Sequence, residues 1–150
     1  MKKHTLALGL TAALGFSSTA LATEATLPSV HVYKSPTCGC CTAWMDHLEE
    51  NGFEVTATNS NNMAQIKQEA GLIPALGSCH TAYVGDYVVE GHVPADDIKR
   101  LLSEAPMATG LSAPGMPAGS PGMEMSNRQD SYQLILFNNR GQTRVFAEHN

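Results

Sequence analysis

The chain has 150 residues, the length of one ordinary domain, and its 14 acidic and 9 basic residues give a formal net charge of −5. Lysine and arginine form no cluster, which argues against nucleic acid and anionic membranes as partners. Three of the four cysteines fall within four consecutive positions, whereas a disulfide-stapled fold would distribute its cysteines along the chain.

The N-terminal segment has the pattern of a cleaved secretory signal. Lys2 and Lys3 provide a basic start, residues 5–16 form an apolar run, and residues 20–22 have the small-x-small sequence of a cleavage site. The apolar run is too short to span a bilayer core of roughly 30 Å as a helix. We therefore expect residues 1–22 to be removed during export to a bacterial periplasm.

A strand and a helix are predicted on the two sides of the cysteine cluster. Residues 30–33 contain the β-branched and aromatic side chains typical of a strand. Thr37 is placed to cap the helix that follows, and Gly52 is placed to end it in a left-handed conformation. The apolar side chains of this helix recur at helical spacing, at Cys41, Trp44, Met45 and Leu48.

A second strand and a second helix come next. Residues 53–57 alternate between apolar and polar side chains, as expected of a strand with one buried face. Asn62 and Gln65 have the spacing of a capping box, in which each residue satisfies a backbone N–H of the other. Gly71 is placed to end this second helix.

Two further strands and a third helix complete the predicted core. The strands at residues 81–84 and 87–90 are joined by a short turn, and Pro94 begins the helix. The apolar face of this helix consists of Ile98, Leu101, Leu102 and Ala105. The order is βαβαββα, so we predict an α/β protein with a thioredoxin-like core over residues 23–105.

The composition changes at residues 106–126, where glycine, proline and serine alternate with methionine and no helix or strand period remains. Two alternating segments, residues 132–137 and 143–146, then flank a turn over residues 138–141 and predict a β-hairpin. Because a lone hairpin is not independently stable, we expect residues 127–150 to pack on the same domain.

The three clustered cysteines allow two chemistries. Cys38 is predicted to open the first helix, where unpaired N–H groups and the helix dipole lower the pKa of a thiol. Cys41 lies one turn further on, whereas Cys40 is about 160° round the helix from Cys38. A thiol–disulfide exchanger needs only Cys38 and Cys41. A soft-metal site uses all three thiolates and therefore explains the third cysteine better.

The fourth cysteine, Cys79, lies just before the third predicted strand. In a thioredoxin-like chain this segment faces the start of the first helix, so one sulfur would face three. Oxidoreductases of that fold usually have a cis-proline directly before the strand, whereas residues 77–80 here are Gly-Ser-Cys-His and Pro74 comes earlier. These features favour a metal site. A plain disulfide from Cys79 to the cluster is the structural alternative.

Two histidines and two methionines complete the candidate ligands. His80 adjoins Cys79, and both can serve one ion only if the segment is still a loop, because adjacent strand residues point to opposite faces. His92 precedes the third helix at the same edge of the predicted fold. Met116 and Met123 lie on the polar loop, where their thioethers can close over a copper site and stay ligands at acidic pH. The alternative is that these methionines only pack within a linker.

The remaining histidines of the mature chain are not predicted to be ligands. His31 is expected to be an ordinary strand residue and His149 a tail residue. His47 lies seven residues beyond Cys40, roughly 10 Å along the helix, and is expected to be a solvated helix residue.

Four motifs together resemble the periplasmic CopG-type copper-resistance family, long catalogued as a domain of unknown function. They are residues 36–41 (Pro-Thr-Cys-Gly-Cys-Cys), 78–82 (Ser-Cys-His-Thr-Ala), 90–94 (Glu-Gly-His-Val-Pro) and 110–124. The resemblance runs across nearly the whole mature chain. It implies a thioredoxin-like fold that binds copper, with several ions bridged by thiolates, and a role in copper tolerance. The ligands that it implies, besides less firmly placed His and Met contributions, are Cys38, Cys40, Cys41 and Cys79.

The residues and the resemblance together predict a periplasmic copper-binding protein for copper tolerance. It would hold copper(I) through the cysteine-rich site to sequester it, carry it or cycle its redox state, with other periplasmic copper carriers or efflux components as partners. Two alternatives remain open. One is a thiol–disulfide oxidoreductase with Cys38 as the attacking thiolate and Cys41 as the resolving thiol. The other is an interaction domain stapled by a disulfide or by zinc.

Overall fold

The computed structural model describes residues 26–124 and 127–150, so the predicted signal segment lies outside the described residues. The elements in chain order are β1 (Val30–Lys34), α1 (Gly39–Glu50), β2 (Val55–Asn59), α2 (Met63–Glu69), a 3₁₀ turn (Pro74–Leu76), β3 (His80–Val84), β4 (Tyr87–Glu90), α3 (Ala95–Glu104), β5 (Gly110–Ser112), β6 (Tyr132–Phe137) and β7 (Thr143–His149). Over the described ranges, no helix has the length and apolarity needed to cross a membrane.

All seven strands belong to one sheet, in the order β2-β1-β3-β4-β5-β6-β7. β1 and β2 are parallel and joined through α1, whereas β3 runs antiparallel to β1 and forms a hairpin with β4. The predicted α/β class and the order βαβαββα are therefore confirmed. β2 begins two residues later than predicted, because Phe53 still closes the end of α1 by donating its N–H to Leu48 O at 3.1 Å.

Residues 106–126 do contain a strand, contrary to the prediction of an entirely irregular loop. β5 pairs parallel with β4 and antiparallel with β6, and so joins the C-terminal hairpin to the same sheet. Gly110 makes this pairing possible, because a Cβ atom there would lie 2.1 Å from Val88 O. A strand of three residues is too short to show an alternating pattern in the sequence.

The sheet is covered on both faces. α1 and α3 pack on one face, where buried apolar side chains include Val32, Trp44, Leu48, Ile98 and Leu101. A smaller cluster on the other face joins Ala70 at the end of α2 to Val88 and Phe137. Val88 and Val89 are adjacent in β4 and belong to different clusters, as the alternation of a strand requires. Trp44 is fully buried, and its indole N–H donates to Val93 O at 2.8 Å.

The helix ends agree with the predicted caps except at the start of α1 and, in part, at the start of α2. Half of the predicted capping box forms, with Asn62 Oδ1 accepting from Gln65 N at 3.4 Å. The Asn62 N–H donates instead to Ser60 Oγ at 3.0 Å, and the Gln65 side chain accepts from the Asn62 side-chain amide at 2.8 Å. The prediction for Thr37 is wrong: the N-cap of α1 is Cys38, without a side-chain cap. Pro36 and Thr37 instead lie in a turn that closes when Cys38 N donates to Ser35 O at 3.2 Å.

His47 and His149, predicted to be a solvated helix residue and a tail residue, both make tertiary contacts. His47 Nε2 accepts the N–H of Ala95 at 3.1 Å and thereby satisfies an otherwise unpaired donor at the start of α3. His149 lies 2.9 Å from a carboxylate oxygen of Asp97 and stacks on Tyr132, so it fastens the end of β7 to α3. Both contacts join residues about 50 positions apart, which local sequence patterns do not reveal.

Candidate metal centre

The turn before α1 decides where the first cysteines point. Cys38 has extended backbone angles (φ −78°, ψ 94°) and the helix begins only at Gly39. The expected separation of about 160° between Cys38 and Cys40 assumes that both belong to a regular helix, so it does not apply. Their sulfur atoms lie 3.5 Å apart.

The structure pairs Cys38 with Cys41 in a disulfide and leaves Cys40 and Cys79 free. This disulfide spans only three positions of the chain, so it closes a small loop and staples nothing distant. The alternative of a plain disulfide from Cys79 to the cluster is therefore not what the structure contains.

Cys79 brings the fourth sulfur to this cluster from the position just before β3, beside the end of β1. Its Sγ lies 3.5 Å from Cys41 Sγ and 4.0 Å from Cys40 Sγ. The ligand atoms of Cys38, Cys40, Cys41 and Cys79 all lie within 4.8 Å of one another. Cys41 is buried and the other three are half-buried, so the cluster lies at the surface of the protein with one side in the core.

Cys79 also belongs to a second group, with His80 and His92. Cys79 precedes β3, which begins at His80, so strand alternation does not separate the two side chains. His80 Nδ1 lies 3.3 Å from Cys79 Sγ, and His92 Nε2 lies 3.1 Å from the same sulfur. From the sequence, Cys79 and His80 can bind one ion only if the segment is still a loop. The chain is still a loop at Cys79, so this condition is met.

The imidazole of His92 has a defined orientation. Its Nδ1 lies 2.8 Å from Pro121 O, a carbonyl that can only accept, so Nδ1 carries the proton and Nε2 is left facing Cys79. Burial lowers the pKa of His92, which favours the neutral ring. Metal-binding histidines characteristically have this arrangement, with one nitrogen held by a carbonyl and the other free for the ion.

His80 differs from His92 in its second nitrogen. Its imidazole is fully buried against the Trp44 ring, with a centroid distance of 4.3 Å, and burial lowers its pKa well below the usual value. Nε2 of His80 has no hydrogen-bond partner among the described residues. Of the two histidines, His92 therefore has the geometry expected of a ligand, and His80 has only the proximity.

The environment of Cys79 disfavours a free thiolate. Burial, helped by the neighbouring Cys40, raises the pKa of the Cys79 thiol to about 12, against the opposing effect of the Ser78 hydroxyl. The thiol is therefore protonated at neutral pH in the metal-free protein. A bound cation reverses this preference, because it stabilises the thiolate directly and displaces the proton.

The methionine-containing loop reaches the site through its backbone. Gly122 (φ +81°) lies so close to the first turn of α1 that a Cβ atom would be 2.7 Å from Trp44 N and 2.8 Å from Cys40 O. The adjacent residue Pro121 accepts the hydrogen bond from His92 Nδ1 through its carbonyl oxygen. Pro121 and Gly122 therefore bring the loop to the site. Of the predicted thioether ligands on it, Met116 is 55% exposed and Met123 is half-buried.

Sequence reasoning missed Pro121 and Gly122 as residues that contact the site. The available signal was the Pro-Gly pair at residues 121–122, which marks a turn with a left-handed residue. Met125, which belongs to the same methionine-rich segment, lies outside the described residues.

The donor set indicates which metals fit. The two groups offer four sulfur atoms and two imidazoles, with no carboxylate. Thiolates and imidazoles select copper(I) and zinc, whereas calcium and magnesium require oxygen ligands. The residues present therefore fit a soft metal ion such as copper(I).

Residues 76–123, which include Cys79, His80 and His92, match the family model described as "Protein of unknown function, DUF411". A solved structure of "Copper resistance protein copG", form 2, is 44% identical with a TM-score of 0.79, and the match covers 84% of this chain and 100% of that one. Form 1 is 46% identical with a TM-score of 0.76, over 81% and 98% of the two chains. No curated protein matches the sequence.

Proposed function

Because the chain belongs to the CopG-type copper-resistance family, we propose that it is a periplasmic protein that binds copper(I) for copper tolerance. The observation that carries the proposal is the meeting of four cysteine sulfurs from two distant segments within 4.8 Å. Neither a local disulfide nor a packing role needs four sulfurs in one place. Other periplasmic copper carriers or efflux components would deliver or receive the ion.

The proposed ligands are the thiolates of the four cysteines and the imidazole of His92. His80 is a further candidate through its Nδ1, which lies near Cys79, and Met116 and Met123 would supply thioethers from the loop. Since the two donor groups share Cys79, its thiolate would bridge two ions if both groups were filled. Soft sulfur donors favour copper(I) over harder ions.

The Cys38–Cys41 disulfide adds a redox step to this proposal. Oxidation of the Cys38 and Cys41 thiols to a disulfide releases two electrons, and two copper(II) ions can each accept one of them. The two thiols would then form the disulfide and release two protons. The two copper(I) ions would be held by Cys40, Cys79 and His92, with a further proton displaced from the Cys79 thiol. The oxidised pair seen here offers fewer thiolates, so full loading with copper(I) requires its reduction.

The same disulfide is the specific observation that favours a second candidate function, thiol–disulfide exchange. Cys40→Ser separates the two functions. A copper site should lose roughly tenfold or more in copper(I) affinity, because a ligand 3.5 Å from Cys38 Sγ and 4.0 Å from Cys79 Sγ is gone. An exchanger should tolerate the substitution, because Cys38 and Cys41 remain. Competition with a chromophoric copper(I) chelator, and reduction of a model disulfide substrate, measure the two activities on the same reduced protein.

Copper affinity and stoichiometry that are unchanged in Cys40→Ser, together with disulfide reductase activity, would favour the exchange function over copper binding. Zinc bound as tightly as copper(I) from a mixed solution would instead support a structural zinc site.

Replacement of Met116 and Met123 by leucine tests the role of the loop thioethers. Leucine keeps the volume and apolarity, so the fold should persist while a soft ligand is removed. We expect the copper(I) affinity to fall by roughly tenfold, which corresponds to about 1.4 kcal/mol, and a competing chelator to extract copper faster.

The matched control for the loop is Met107→Leu. Met107 is fully exposed and lines a surface cleft beside the β6–β7 turn, together with Asn138 and Arg144. The Met107→Leu variant should leave copper(I) binding unchanged. Identical competition curves for the double variant and this control would assign Met116 and Met123 to packing within a linker.

A further inference from the structure

A buried carboxylate lies beside the segment that carries Cys79. Glu90, the last residue of β4, has no exposed surface. Its Oε1 accepts the backbone N–H of Ser78 at 2.6 Å and also contacts the Lys67 ammonium group. Its Oε2 accepts the hydroxyl of Thr81 at 2.6 Å. Three residues from two segments of the chain, α2 and the segment at the start of β3, therefore converge on this one carboxylate.

Stability alone does not account for a charged residue at this position. A buried ion pair seldom stabilises a fold more than apolar side chains of similar volume, because both charges lose their hydration. The distinctive contact is the one with Ser78. This residue precedes β3, so its half-buried N–H has no strand partner, and the carboxylate supplies the acceptor.

The two residues after Glu90 continue along the same segment. Gly91 (φ +73°) donates its N–H to His80 O at 3.1 Å, and a Cβ atom at Gly91 would lie 2.5 Å from Ser78 Oγ. His92 then places Nε2 at 3.1 Å from Cys79 Sγ. Residues 90–92 thus contact residues 78–80 three times in succession, and only the first contact uses a charge.

We propose that Glu90 is a positioning residue, which holds the Ser78 N–H and so fixes the place of the Cys79 sulfur relative to the cysteines of α1. Lys67 compensates the charge of the carboxylate and leaves it free to accept from Ser78. This inference rests on the proposed function for its effect on copper. The position of the Cys79 sulfur is defined without a bound metal, so it can be tested separately.

Two double variants separate the role of Glu90 as a hydrogen-bond acceptor from the role of its negative charge. Lys67→Met with Glu90→Gln removes both charges and keeps an oxygen for the Ser78 N–H. Lys67→Met with Glu90→Met removes both charges and the acceptor, at similar volume. Neither variant leaves an unpaired buried charge, which would itself be expected to unfold the protein. Circular dichroism checks that both variants are folded.

We expect the Gln variant to bind copper(I) like the unmodified protein, and the Met variant to bind it roughly 10- to 100-fold more weakly, the range found for residues that support metal ligands. Competition with a copper(I) chelator measures both. Equal copper affinity in the two folded variants would overturn the proposal and reduce Glu90 to a stabilising group.

A readout without metal keeps this test independent of the proposed function. In a Cys40→Ser background with the Cys38–Cys41 disulfide intact, Cys79 is the only free thiol, and its alkylation rate reports its mobility. The Met variant should react faster than the Gln variant, and its Ser78 amide should exchange hydrogen faster. If the unmodified protein fails to bind copper(I), the proposed function fails, while equal alkylation and exchange rates would separately refute the positioning role.

Discussion

Replacement of Cys79 by serine is expected to lower the copper(I) affinity by roughly a hundredfold or more. The Cys79 sulfur is shared by both donor groups, at 3.5 Å from Cys41 Sγ and 3.1 Å from His92 Nε2. A serine hydroxyl is a hard, weakly acidic donor that copper(I) does not prefer. Because residues that only support a ligand contribute roughly 10- to 100-fold to metal affinity, loss of the shared ligand should exceed that range.

The pH dependence of binding provides a second measurement on the same variant. Because burial raises the pKa of Cys79 to about 12, copper must displace a proton from this thiol over the whole neutral range. The affinity of the unmodified protein should therefore rise with pH, by roughly tenfold per unit for each proton displaced. Cys79→Ser should show a slope smaller by one proton. An unchanged affinity and slope would exclude Cys79 from the ligands.

Gly122→Ala is expected to separate the loop from the start of α1. The new methyl group would lie 2.7 Å from Trp44 N and 2.8 Å from Cys40 O, and backbone atoms of a helix cannot move aside cheaply. The loop must shift, which also removes Pro121 O from His92. We expect copper to be released to a chelator faster, and the free energy of unfolding to fall by about 1–3 kcal/mol for the left-handed conformation alone, with the steric contact in addition.

Gly115→Ala is the matched control for this variant. Gly115 lies in the same loop with a similar left-handed φ of +72°, but a Cβ atom there has no neighbour within 4 Å. Gly115→Ala therefore has the same cost of a left-handed backbone conformation, but its methyl group has no steric contact. Stopped-flow copper release and thermal unfolding of the two variants therefore isolate the approach of Gly122 to Cys40. Equal release rates would mean that the loop does not cover the site.

Local interactions were predicted from the sequence with good accuracy. Asn62 caps α2 as expected, because its partner Gln65 lies within one helical turn and no distant residue is needed. The order of helices and strands followed from apolar periodicity for the same reason. Thr37 is the instructive error, because Pro36 favours a turn that closes on Cys38 and delays the helix by one residue. The side chain of Cys40 could not be placed without that detail.

The identity of the candidate donors was therefore determined by the sequence alone, since four cysteines, the flanking histidines and the loop methionines are visible as residue types in an unusual pattern. Their arrangement was decided only by the tertiary structure. Cys79 meets Cys40 across 39 positions of the chain, and His92 takes its orientation from Pro121 across 29. These contacts between residues far apart in the chain depend on how β3, α1 and the loop pack together. That packing depends on close contacts at Gly91 and Gly122 and on the Glu90 carboxylate, none of which leaves a periodic signal in the sequence.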